Sequence, residues 1–171
     1  MRAFSSALAV AAVLALPAGP AGAQQSRGPE IVQGRPEVVA GDILRFARGG
    51  RVRLVGIEAP LPGQTCVSGF GRPYDCHRAA LEFLRNAVRD KDVTCRILGL
   101  NVERDKIGLC AADGRNLSVG MVRAGWAYAW RTLGHDYSRY EARAQTSQSG
   151  VWIGPNEAPW RWRSRQIGIR E

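Results

Sequence analysis

Lysine is nearly absent from this chain: Lys91 and Lys106 are the only two in 171 residues. Histidine is as scarce, with His77 and His135 alone, and no two cysteines stand at Cys-x-x-Cys spacing. That poverty argues against a zinc site, which needs paired thiolates or several imidazoles. No internal repeat and no sign of a second domain is present. Beyond the first stretch of the chain, no apolar run approaches the roughly 20 residues needed to span a bilayer. Stable membrane insertion is therefore not expected.

What is there begins with MRAFSSALAVAAVLALPAGPAGAQQ. One early charge (Arg2), an apolar stretch from about Phe4 to Leu16, and Ala21-Gly22-Ala23 fit a leader cleaved before Gln24. Residues 1–23 are thus expected to be a signal peptide, and the mature chain to be exported, to the periplasm or the medium. The net charge is +9, or +8 without Arg2, and nearly all of the positive charge is arginine. Guanidinium forks match phosphate oxygens, so a polyanion is a plausible partner. Ordinary solubility explains the same charge without any partner.

Four cysteines in an exported chain suggest two disulfides. Local pairing, Cys66–Cys76 and Cys95–Cys110, is the simplest of the three connectivities.

After a Gly, Pro and Gln-rich arm over 24–37, Val38–Phe46 and Val52–Ile57 read as strands joined by a turn at Gly49-Gly50. Arg51 and Arg53 share one face of the second strand; Val52 and Leu54 share the other. His77–Asp90 reads as a helix, with Ala80, Phe83, Leu84, Ala87 and Val88 in one apolar stripe. Asp92–Leu98 and Ile107–Ala112 are further strands. A short helix over Asn116–Ala124 and a third from Asp136 to about Ser149 follow. An aromatic tail, VWIGPNEAPWRWR, comes last. The order implies an α+β protein with a mainly β core.

Several segments together carry a family likeness: Val39-Ala-Gly-Asp42, Arg53-Leu-Val-Gly-Ile-Glu-Ala-Pro60, Gln64-Thr-Cys66, Val122-Arg-Ala-Gly-Trp-Ala127, Gly150-Val-Trp152 and Trp160-Arg-Trp162-Arg163. From about Val38 to Arg163 the chain resembles the thermonuclease (staphylococcal-nuclease-like) family. The resemblance implies a five-stranded OB-fold barrel with three helices over 38–163 and a short tail over 164–171. It also implies a monomer acting on DNA or RNA, with Ca2+ as cofactor.

Members of that family cleave phosphodiesters with a hard cation, a carboxylate base and guanidinium clamps. By the same resemblance Asp42 and Glu58, with the backbone carbonyl of Ala59, are the metal positions. Arg53 is the first phosphate clamp, and Arg51 an added nucleic-acid contact. Two positions depart from the pattern. Leu61 stands where the family places its general-base glutamate. Asp105 falls where the second clamp arginine is expected, so that Arg104 would have to serve through a bulged loop. The expectation is an exported domain whose catalysis is impaired, or an OB-fold module that binds nucleic acid or a protein without cleaving. His77 is a remote replacement base, and local capping is its commoner role. Trp126, Trp130 and Trp152 are expected to pack. Trp160 and Trp162, alternating with Arg161 and Arg163, are read as pinning the tail.

Overall fold

Gly41-Asp42 breaks the first expected strand in two. In the computed structural model, which describes residues 28–131 and 133–168, Val38–Phe46 is a hairpin rather than one strand. Its arms are β2 (Glu37–Ala40) and β3 (Ile43–Phe46), and Asp42 lies in the turn between them. A Cβ at Gly41 would stand 2.8 Å from the Cβ atoms of both Ala59 and Ala80. Only glycine lets the turn pack this closely. Before the hairpin, β1 (Ile31–Gly34) falls inside the stretch expected to be a loose arm. The expected signal peptide at 1–23 lies outside the described residues.

The next strand, β4 (Gly50–Leu54), buries Val52 and Leu54 and leaves Arg51 and Arg53 on the other face, as its alternation predicts. The chain then steps into a two-residue strand, β5 (Ile57–Glu58), because Gly56 takes a positive φ between them. A small hairpin, β6 (Thr65–Val67) and β7 (Pro73–Asp75), leads into α1 (Cys76–Val88). Asp75 caps that helix by accepting the Arg78 amide at 2.8 Å, a bond that satisfies one orphan donor of the first turn. Ala80, Leu84 and Val88 are buried along its stripe, and Phe83 and Ala87 pack partly against the core.

A long hairpin follows: β8 (Val93–Leu100) and β9 (Lys106–Ala112). Then come β10 (Arg115–Asn116), α2 (Leu117–Arg123), β11 (Tyr128–Ala129) and α3 (Ser138–Thr146). A 3₁₀ turn over Gly150–Ile153 leads to a fourth helix, α4 (Pro159–Gln166), where only an aromatic tail was expected. Pro159 stands in its first turn, where a missing N–H costs nothing.

The main sheet runs β1-β8-β9-β4-β3-β2, with β10 beside β9; every pair is antiparallel except β4 with β9. It curls into a half-barrel. A Cβ at Gly49, at the β3–β4 turn, would lie 2.6 Å from a methyl of Val32 on β1, the far edge. Leu44, Val52, Leu54, Leu84, Val93, Met121 and Val122 fill the interior with almost no exposure. Burying each stabilises the fold by about 1.5–3 kcal/mol. The fold is mixed α+β, strand-rich and OB-like, with four α-helices among the described residues. Among the described residues no helix is long and apolar enough to cross a membrane.

Both local disulfides are formed. Cys66–Cys76 ties the β6–β7 hairpin to α1, and Cys95–Cys110 joins directly opposed residues of β8 and β9. A second contact seals the helical side. The Val151 amide donates to the Gly125 carbonyl at 2.9 Å, where the chain after α2 crosses the chain after α3. A Cβ on Gly125 would meet the Ser149 carbonyl oxygen at 2.1 Å.

Candidate functional site

One cleft, of about 320 Å³, opens where β4, β5, the β8–β9 loop and α4 meet. Arg53 and Arg163 supply its cations, Glu58 and Glu103 its anions, and Trp130 and Val102 its apolar rim. The turn geometry explains how Arg53 and Asp42 come together. Ile43 pairs with Arg53 across β3 and β4, so the residue just before Ile43 lies beside the arginine. Arg53 Nη1 donates to Asp42 Oδ2 at 2.8 Å.

Asp42 is 3% exposed, with the backbone amides of Ala59 and of Asp42 itself near its carboxylate. Burial pushes its carboxyl above the ordinary value, while Arg53 and those amides pull it back. Its ion pair with Arg53 ties the turn to β4. Glu58 sits at the end of β5 and is 8% exposed. Its Oε1 accepts Arg163 Nη2 at 2.5 Å. Burial raises its carboxyl too; Arg163 opposes the shift, and the nearby Asp42 adds to it.

These donors do not fit a calcium ion. A hard dication takes six to eight oxygens. Here each of the two carboxylates already has a guanidinium partner. Among the described residues no group of three or more His, Cys, Asp or Glu side chains is placed to hold a metal.

The β8–β9 loop is shaped by Asn101. Its Oδ1 accepts the Asp105 amide at 2.8 Å, its carbonyl accepts the Arg104 amide at 3.0 Å, and its own amide donates to the Asp105 carbonyl. Arg104 sits at the tip with φ of 63° and is exposed; it does not line the cleft. Its amide closes the loop on the Asn101 carbonyl. Asp105 meets Arg51 Nε at 3.1 Å, and its other oxygen is buried with no partner among the described residues. Arg51 is thereby tied to Asp105, and it too lies outside the cleft lining.

Leu61 follows Pro60 at the end of the strand-to-loop turn. Its amide donates to Gln64 Oε1 at 3.0 Å, and its hydrocarbon side chain offers nothing to a water. His77 Nδ1 donates to the Pro60 carbonyl at 2.9 Å, a structural role that keeps the ring off the cleft lining.

Arg163 was not singled out by sequence reading, which treated it as part of a pin. The pin is real: Trp160 packs edge-on against Trp130 at 4.8 Å and Tyr128 at 5.9 Å. One helical turn later that anchoring aims Arg163 at Glu58. The usable signal was Pro159 opening a helix, with an arginine three residues after its anchoring tryptophan. Trp130, expected in packing, is 41% exposed and forms a wall of the cleft.

The sequence matches the family described as Staphylococcal nuclease homologue over residues 51–154. Protein ParB of Escherichia coli is 30% identical over 138 residues, 76% of each chain. An uncharacterized endonuclease of Escherichia coli O157:H7 is 29% identical over 135 residues, covering 73% of this chain and 78% of that one. Succinoglycan biosynthesis protein ExoI of Rhizobium meliloti (strain 1021) is 28% identical over 128 residues, 72% of this chain and 65% of the relative.

Proposed function

Because the chain belongs to the staphylococcal nuclease homologue family, we propose that it is an exported, monomeric nucleic-acid-binding domain of that family whose phosphodiester hydrolysis is weak or lost. DNA and RNA are the substrate class, and the endonuclease names carried by relatives support it. Two disulfides and the leader-like first 23 residues support export. The exported unit is taken to run from β1 through α4.

One observation carries the catalytic half: Leu61 stands at the general-base position, with its amide bonded to Gln64 and no proton acceptor on its side chain. General-base catalysis contributes roughly 10²–10⁴ in rate. The second clamp position holds Asp105, which pairs with Arg51 and would repel a phosphate. One well-placed donor to developing negative charge is worth about 10²–10³. Losing both leaves little of the usual acceleration.

The test is incubation of the mature chain with single-stranded DNA and RNA, in calcium or in chelator, beside Leu61→Glu. The expected result is binding that weakens with salt and no cleavage by the native chain, since arginine–phosphate contacts release counterions. Brisk calcium-dependent cleavage by the native chain, abolished in Asp42→Ala, would refute it. Leu61→Glu alone is expected to restore no more than trace cleavage, because Asp105 and the arginine-bound Glu58 remain.

A further inference from the structure

We propose that Arg163 takes the place of a metal ion, so that the cleft grips phosphodiester anions through Arg53 and Arg163 without calcium; this rests on the nucleic-acid reading above. Three observations lead there. First, Glu58 is occupied: Arg163 Nη2 bonds its Oε1 at 2.5 Å. A cation entering at Glu58 would have to displace a guanidinium or lie against it, and like charges at that range repel strongly. Second, Arg53 and Arg163 come from opposite sides of one cleft, β4 and α4, and both line it. A guanidinium carries five N–H donors. Asp42 takes one terminal nitrogen of Arg53 and Glu58 takes one of Arg163, leaving further donors on each fork. Third, besides this pair and Glu58, the charged side chain lining the cleft among the described residues is Glu103, 68% exposed and 4.0 Å from Arg53 Nη2. It is a loose surface contact that an arriving phosphate can displace.

The carboxylates then have a positioning role. Asp42 is nearly sealed from solvent and fixes Arg53; Glu58 fixes Arg163. Trp160, packed on Trp130, pins α4 against the rim of the cleft. Trp130 adds a flat, half-exposed face beside the pair, suited to a base or sugar adjoining the phosphate.

The experiment is fluorescence anisotropy of a labelled short single-stranded DNA at low salt, in EDTA and in calcium, with the native full-length mature chain and Arg163→Gln, Arg163→Lys and Glu58→Gln. The native chain should bind equally well in both buffers. Arg163→Gln should weaken binding about 10- to 100-fold, the scale of a charge-assisted hydrogen bond. Arg163→Lys, which keeps the charge and the fold, should fall between them because the fork is lost. Glu58→Gln, which keeps an Oε1 acceptor to position Arg163 and removes a negative charge, should bind at least as tightly as native. Binding that appears only with calcium, or that is lost in Glu58→Gln, would overturn the proposal. So would native-like binding by both Arg163 variants, and that outcome leaves the nucleic-acid reading standing. Absence of binding by every protein would overturn both.

Discussion

Replacing Asp42 with alanine separates a structural carboxylate from a metal ligand. Acids clustered to hold a cation repel one another when the cation is gone, so deleting one stabilises the metal-free fold or leaves it unchanged. Asp42 is arranged otherwise. It is 3% exposed and bonds Arg53 at 2.8 Å. Removing one partner of a buried ion pair costs about 3–5 kcal/mol, because the other charge is stranded. Arg53 is 26% exposed on its side chain, so water relieves part of that cost and the lower end, about 3 kcal/mol, applies. For a chain of this size each kcal/mol lowers Tm by roughly 2–4 °C, giving a fall of about 6–12 °C. The measurement is urea and thermal unfolding followed by tryptophan fluorescence in EDTA, with disulfides intact. Asp42→Asn, which keeps an oxygen acceptor for Arg53 but not the charge, should lie between. An Asp42→Ala protein as stable as the native chain in chelator would refute the reasoning and return Asp42 to the metal.

Two further predictions concern stability alone. Cys95–Cys110 closes a loop of 15 residues, so the Cys95→Ala/Cys110→Ala double variant should lose about 3 kcal/mol by chain entropy, read as a lower urea midpoint. Glu141 is held above its ordinary pKa mainly by burial, with the Ala129 amide opposing the shift and Asp136 adding to it. A raised acid binds its proton more tightly when folded, so its contribution is greatest in acid and declines as pH rises through the folded pKa. Glu141→Gln, which keeps an acceptor for Ala129, should therefore be at least as stable as native at pH 7. The two curves should converge below about pH 4, where the carboxyl is protonated in both states. A Glu141→Gln protein less stable at pH 7 than at pH 4, relative to native, would contradict this.

The parts of the fold that could be read in advance are those whose cause is local. The stripe of α1, the Gly49-Gly50 turn and both disulfides depend on residues close in the chain, and each appears as expected. The division of Val38–Phe46 was hidden because Gly41-Asp42 interrupts an apolar run for only two residues. What selects a hairpin there is the distant contact of Gly41 with Ala59 and Ala80. β1 was hidden for a similar reason: Ile31–Gly34 is short and follows a Gly-Pro segment, and only the edge of β8 makes it a strand. At the site, Asp42 and Arg53 were legible as a pair through the family pattern. The arginine opposite them was not. Arg163 reaches Glu58 across 105 residues, from a helix with too weak an apolar face to announce itself. Arg104 looked nearer in sequence, but Asn101 folds the loop so as to turn it outward.

The cleft takes its walls from the middle of the chain and from its last helix. A chain cut short after α3 would lose Arg163, the second fork of the proposed grip, together with the Val151–Gly125 bond that seals the helical side. In the proposed reading, a single nick between α3 and α4 would disarm the cleft while leaving every strand of the sheet covalently intact.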